Sequence, residues 1–422
     1  MKLRFADLVL PASILITPIA SSIITIYGRP TVVLDAFYNR VWQDDARSGL
    51  LAALICTFLL SIVLAVAAIR LRSENVIGSR LISQNYLISL LFAVLISVVA
   101  NYTSWGIFGV AKVFIFFWVA YTFSSSGVTI KSFSTSSFLV LLSYISMAVF
   151  PLVSPSNSWK ICRDDKCTVT GSLLTSYFQS ENALSLYVLT TVYFLRFLEK
   201  RWHRVFGYLL ALGLTYLSGS RLGVFVVVIV LILLISGKVK ILFWAPPTLL
   251  ALSAGFFVFG NGSDLTGRGS IFSAVREIWL SSPLFGVGPN ATQLAFERGM
   301  VIGFIPYNEQ TEVAHILAHY GSIAALLLLG IIFVLFRSRK KINRVASYFA
   351  LVAPFLVTSL AFATESPVSF TIDCPSFWVV ALLFAKISTL DKNEEDLESV
   401  FLDNQSANPY KRSPASPSPG TM

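Results

Sequence analysis

The chain has 422 residues, 55% of them hydrophobic and only 13% charged, with a formal net charge of +10. A soluble domain carries about a quarter charged residues, so this composition excludes an ordinary soluble enzyme. Apolar runs of about 20 residues recur, each long enough to cross about 30 Å of hydrocarbon, which makes this a polytopic membrane protein and not a nucleic-acid binder.

Lys2 and Arg4 precede the first run, from about Leu8 to Tyr27. It is too long for a signal-peptide core and lacks a small-residue cleavage site, so it reads as a retained span. Twelve spans are expected in all, near 8–27, 49–69, 82–100, 104–123, 137–153, 182–198, 204–218, 221–236, 241–260, 316–336, 345–363 and 375–389. The fold class is therefore an all-α polytopic membrane protein, with one transmembrane domain over 1–390 and a large loop between the ninth and tenth helices. Prolines 246 and 247 fall in the ninth span, where neighbouring helices can satisfy the freed carbonyls. The segment 391–422 is acidic, then rich in Ser and Pro. It lacks the apolar content for a core and is expected to be a disordered cytoplasmic tail.

Charge sets the orientation. With the N-terminus inside, 21 of the 32 basic residues lie on the cytoplasmic side, 10 lie outside and Lys112 falls within a span. The cluster RSRKKINR at 337–344 is the strongest anchor, and His203 belongs to another basic group on the same side. The positive-inside rule then puts both termini in the cytoplasm, the chain in the cytoplasmic (inner) membrane and the loop 261–315 outside. Outside basic residues are mostly arginine, whose rigid fork of donors suits phosphate oxygens. Cys162 and Cys167 close the external segment CRDDKC. An oxidising compartment favours a local disulfide there, with two free thiols as the alternative.

Three polar groups stand out. Arg221 ends the turn SGSR at 218–221, between two apolar runs. A charge near membrane depth costs a few kcal/mol unless paired or hydrated, so it is a functional candidate by default. In 267–290, apolar residues at 271, 272, 275, 278 and 279 have helical spacing. An amphipathic helix is expected there, with Arg268 near its N-terminal end, Arg276 on its more polar face and a turn from Pro283 to Pro289. Glu312, His315 and His319 share one face of the helix entering the tenth span. A histidine there can act as a general base with Glu312 orienting it. The spacing is not that of a metal site, and the chain has no phosphate-binding loop, serine elbow or CxxC motif. No metal and no cofactor are expected.

At these residues the chain resembles the O-antigen ligase and O-antigen polymerase superfamily of bacterial membrane glycosyltransferases. Three pieces carry the resemblance: SGSR at 218–221, Gly267-Arg268 followed by PLFGVGPN at 283–290, and the helix entry HILAHYGSIAALLLLG. A weaker match is GSLLTSYFQSENALSLYV at 171–188. The resemblance covers about 165–360. It implies an undecaprenyl-diphosphate-linked glycan as donor, a glycan or glycolipid as acceptor, catalysis at the outer face without metal or nucleotide, and membrane lipids as the surroundings. It also implies that arginines hold the diphosphate, which fits Arg221 and Arg268 with Arg276 as a third candidate, and that a histidine assists the acceptor. The family's histidine slot, about eleven residues before the helix glycine, holds Gln310 in this chain. Either His315 takes that role, or Glu312 or Gln310 does, or this member differs in mechanism. A transporter or flippase for an anionic lipid-linked glycan is the alternative function.

Overall fold

A computed structural model describes residues 83–101, 130–162, 167–178, 181–236, 268–289, 291–300 and 312–338. It also describes the strands Val32–Leu34 and Arg40–Trp42 and scattered helical positions within 11–22, 107–117 and 251–259. The described residues are mostly helical. In order, the elements are β1 (Val32–Leu34), β2 (Arg40–Trp42), α1 (Ser83–Ala100), α2 (Ile130–Val153), α3 (Pro155–Ser158), β3 (Trp159–Ile161) and β4 (Ser172–Leu174). Then come α4 (Glu181–Thr191), a 3-10 segment (Val192–Phe197), α5 (Arg201–Leu217), α6 (Arg221–Ser236), α7 (Arg268–Ser281), α8 (Ala291–Glu297) and α9 (Glu312–Ser338).

One core joins α2, α4, the 3-10 segment, α5 and α6 around Tyr144, Tyr187, Phe178, Phe194 and Val226. Hydroxyl groups stitch its helices together. Tyr144 Oη bonds Thr191 Oγ1 at 2.9 Å and donates to the Val188 carbonyl at 3.1 Å, and Tyr187 Oη meets Ser143 Oγ at 3.1 Å. Where water is absent, such interhelical bonds contribute about 0.6–2 kcal/mol each. Tyr177, just before α4, meets Ser146 Oγ at 3.0 Å. Burial pushes its phenol up to about 12, the Ser146 bond only partly opposing this, so it stays a neutral donor and acceptor.

The expected span 182–198 is not one continuous α-helix: α4 stops at Thr191 and the chain tightens into the 3-10 segment. The cause is local. Thr190 and Thr191 donate their hydroxyls to the Leu186 and Tyr187 carbonyls at 2.9 and 2.7 Å. That competes with the helix ladder as the β-branched and aromatic run TTVYF begins. At about 1.5 Å and 2.0 Å of rise per residue the combined length is about 28 Å, still close to a hydrocarbon thickness.

The turn between α5 and α6 is a double cap. Gly219 takes φ +67°, with Gly219 N–H donating to Tyr216 O at 2.9 Å and Ser220 N–H to Thr215 O at 3.1 Å, which closes α5. Ser220 Oγ then accepts from Gly223 N–H at 3.1 Å and starts α6. Gly223 is also where α6 comes closest to its neighbours. A Cβ there would lie 2.9 Å from Thr215 Cγ2 and against Ser185 Oγ.

β3 and β4 pair antiparallel, Trp159 opposite Leu174 and Ile161 opposite Ser172. Cys162 and Cys167 are joined by a disulfide at the tip of this hairpin. Its base is pinned to Ser158, whose carbonyl accepts from Thr175 N–H at 2.8 Å, Thr175 Oγ1 at 3.0 Å and Ser176 N–H at 3.1 Å.

A second group of elements packs on α9. Leu90, Val94 and Val98 of α1 meet Ile316, Tyr320 and Ala324. On another side, Ile271, Val275 and Ile278 of α7 and Ala291 and Ala295 of α8 meet Ala314, Leu317 and Ala318. The expected amphipathic helix is α7, and it begins at Arg268 itself.

Among the described residues one helix, over Ser134–Val153, is long and apolar enough to cross a membrane, with shorter apolar stretches at Ser89–Ala100, Gly223–Ile232 and Val313–Leu328. The described part of the chain therefore does not by itself amount to twelve spans. The expected first, second, fourth, ninth, eleventh and twelfth spans, and the tail 391–422, lie wholly or mostly outside the described residues. The helices that are described carry apolar side chains on their outward faces as well. Phe92, Ile96 and Val99 of α1, Leu142, Val149 and Leu152 of α2, and Phe225 and Ile232 of α6 are exposed. A soluble monomer rarely shows apolar faces on this scale.

Gly223→Ala is expected to destabilise the protein by about 1–3 kcal/mol, because the added methyl must displace Thr215 and Ser185. Thermal unfolding of the purified protein in detergent checks it; an unchanged melting temperature would show that this approach is not tight.

Candidate functional site

The site is built around a break in α9. Gly321 has φ +82° and ψ 178° inside the helix, a conformation open in practice only to glycine. The break frees carbonyls before it and amides after it, and in an apolar surrounding each needs a partner. The segment Pro283–Gly288 supplies them. Val287 N–H donates to Ala318 O at 2.7 Å and Gly288 N–H to His319 O at 3.3 Å. In return Ser322 N–H donates to Pro283 O at 2.9 Å and Ile323 N–H to Leu284 O at 3.5 Å.

Three further groups lock the segment in place. Ser97 Oγ of α1 donates to the Phe285 carbonyl and lies 3.2 Å from His319 O. Asn101 Nδ2 donates to Gly286 O at 3.2 Å, and Trp279 Nε1 at the end of α7 donates to Pro283 O at 3.1 Å. The glycines follow from the closeness of the two backbones. A Cβ on Gly286, whose φ is +70°, would stand 2.6 Å from Ala318 O, and one on Gly321 would overlap the Leu284 carbonyl. The PLFGVG sequence is thus the complement of a broken helix. It was legible as a turn, but its partner 35 residues later was not.

Just before the break, α9 carries His315 and His319. Both are buried, and their rings lie with centroids 4.0 Å apart at 43°. Tyr320 stands 6.1 Å from each. The two rings sit on the same helix as Ala314 and Ala318, which pack on α7, and Ile316 and Tyr320, which pack on α1. Two imidazoles in contact offer both proton acceptors and proton donors, and the neighbouring backbone is held rigid by the seated loop. The spacing places both histidines on one face, and the structure adds that their rings are in contact.

Of the other candidates, Glu312 is the first residue of α9, and Gln310 lies outside the described residues. Arg268 is the first residue of α7. Arg276 is half-buried and donates from Nη1 to the Val258 carbonyl at 3.1 Å. That bond ties α7 to the preceding helical positions, a role the sequence did not suggest. Arg221 opens α6 with an exposed side chain, directly after the double cap. The structure joins His315 with His319 and binds their helix to α7, and it shows no contact between Arg221 and the histidines among the described residues. The short helix α8, ended by Gly299 at φ +69°, was missed. Gly299 after an apolar heptad was the signal for it.

No protein-family model matches the chain, and no curated protein matches it.

Gly321→Ala is expected to cost about 3 kcal/mol or more, since it adds a glycine-only conformation to an overlap with Leu284. Ser97→Ala should cost about 1–2 kcal/mol through its lost bond. Melting curves of both variants in detergent test the ranking; an equal or reversed order would mean that the loop is not what holds the break.

Proposed function

We propose that this chain is a polytopic membrane glycosyltransferase of the O-antigen ligase or polymerase type. It spans the cytoplasmic membrane about twelve times with both termini inside. It transfers a glycan from an undecaprenyl-diphosphate carrier to an acceptor hydroxyl at the outer face. The observation that carries this reading is the joining of two of the three motif pieces, 283–288 and 315–323, into one hydrogen-bonded unit beside a buried histidine pair. The outward apolar faces of α1, α2 and α6 support the membrane part. The Cys162–Cys167 disulfide supports an extracytoplasmic position for its hairpin, which is on the same side as the loop 261–315 in the charge-based orientation.

In the step proposed, the acceptor oxygen attacks the anomeric carbon. The bond from that carbon to the diphosphate oxygen breaks, and the lipid diphosphate leaves with the electron pair. The acceptor proton passes to His315, with His319 in contact to share the charge. Negative charge grows on the departing diphosphate, and arginines aimed at it stabilise the transition state more than the ground state. Arg221 and Arg268, each at the start of a helix, are assigned that role, where helix amides add to the attraction. Arg276 is the weaker candidate because its Nη1 is engaged with Val258.

The break in α9 favours a second reading on one specific ground. Discontinuous helices line the substrate sites of membrane transporters, so a flippase for an anionic lipid-linked glycan competes with the transferase.

The protein reconstituted in liposomes with a purified lipid-linked glycan donor and acceptor distinguishes them. Formation of the joined glycan is expected, with Arg221→Ala, Arg268→Ala and His315→Ala each lowering the rate about a hundredfold or more at unchanged insertion. Movement of the donor between leaflets with no new glycosidic bond would instead assign transport.

A further inference from the structure

The turn from the 3-10 segment into α5 gathers Arg196, Lys200, Arg201 and Arg204 within nine residues. Glu199, the one carboxylate in that stretch, is exposed. Arg204 lies near Arg196 and Arg201, both of like sign. Cations belong at the C-terminal end of a helix, and these crowd the N-terminal end of α5. That end also lacks a side-chain cap: Lys200 occupies the capping position without making the bond. A positive helix end with cations beside it attracts an anion.

Two buried groups point the same way. Arg204 Nε and the Tyr208 hydroxyl are shielded from solvent and have no hydrogen-bond partner among the described residues. Tyr208 is only 6% exposed and stands one turn after Arg204 on the same face of α5, whose side chains lean toward its N-terminal end. A buried donor left without an acceptor costs about 1–3 kcal/mol, which an anion oxygen at this place would remove.

The surface beside the cluster says what carries the anion. Trp202, Val205, Phe206 and Leu209 are exposed along one stripe of α5, Trp202 at 82%, starting next to the cations and running away from them. A compact charged end continuous with an apolar stripe matches a headgroup phosphate with its acyl chain, and an exposed tryptophan at the junction suits the membrane interface.

We propose that the N-terminal end of α5 is a binding site for an anionic phospholipid of the cytoplasmic leaflet, its phosphate seated among Arg196, Arg201, Arg204 and Tyr208 and an acyl chain lying along Trp202, Phe206 and Leu209. The proposal rests on the membrane orientation and not on glycan transfer. Lipids that neutralise this turn hold α5 and the adjoining α6, and so the segment that ends in Arg221 on the other side.

The test uses the full chain in detergent micelles doped with phosphatidylglycerol or phosphatidylcholine, with retained lipid counted by native mass spectrometry. The wild type is expected to keep one phosphatidylglycerol in preference to phosphatidylcholine. Arg204→Gln and Tyr208→Phe should each weaken that preference about tenfold, the factor for losing a hydrogen bond to a charged group. Arg204→Lys, which keeps the charge and loses Nε, should fall between. Arg298→Gln, an exposed arginine on another helix end, should match the wild type and so control for lost surface charge. Equal retention of the two lipids, or a preference untouched in Arg204→Gln, overturns the proposal. Full displacement by inorganic phosphate alone does so as well, since it would assign a free anion in place of a lipid. Melting temperatures near that of the wild type for Arg204→Lys and Tyr208→Phe keep the result readable if Arg204→Gln fails to fold.

Discussion

A helix that breaks in the middle of an apolar bundle leaves backbone groups in need of partners, and in this protein a single loop partners two carbonyls before the break at Gly321 and two amides after it. The exchange runs both ways: two amides of the loop cap the end of the first half of α9, and two carbonyls of the loop cap the start of the second half. Without water to compete, each of these bonds counts for more than it would at a surface. The break and the loop are therefore interdependent, and neither sequence is interpretable without the other. The loop also fixes where α7 ends, through Trp279, and where α1 sits, through Ser97 and Asn101.

That constraint orders the surroundings of the histidine pair. His315 and His319 lie in the half-helix whose end is capped by the loop, so backbone hydrogen bonds help to set their placement relative to α7 and α1. A support of this kind holds the two rings in a fixed place. The first core, built on α2, α4, α5 and α6, uses a different device. Tyrosine, serine and threonine hydroxyls bridge its helices, and the glycine and serine of the SGSR turn close one helix and open the next. Its two ends then differ in character, with Arg221 at the turn and the basic cluster at the opposite end of α5.

Much of the local structure was legible in the residues. The spans expected near 82–100, 137–153, 204–218 and 221–236 correspond closely to α1, α2, α5 and α6, because apolar length is a property that a sequence carries on its face. The helix beginning at Arg268 was legible from spacing alone, as was the turn after it. The 3-10 end of the sixth span was not, because threonine hydroxyls chose their own helix carbonyls over the ladder, and a hydropathy reading is blind to that choice. Arg276 illustrates a further limit. Its residue type and helix face suggested an anion ligand, while its actual partner is a carbonyl at Val258, distant in sequence and unremarkable in it.

By itself the sequence determined the helical character and the positions of the glycines and arginines that punctuate the polar loop. These depend on composition and short-range spacing, which every residue carries with it. Only the tertiary structure decided that PLFGVG and HILAHYG are two halves of one unit, that the histidine rings lie in contact, and that the Tyr208 hydroxyl is buried near Arg196 and Arg204. Those facts arise from groups brought together across long stretches of chain or around a helix end. They are settled by which buried donors and acceptors find each other, a competition that no single segment contains.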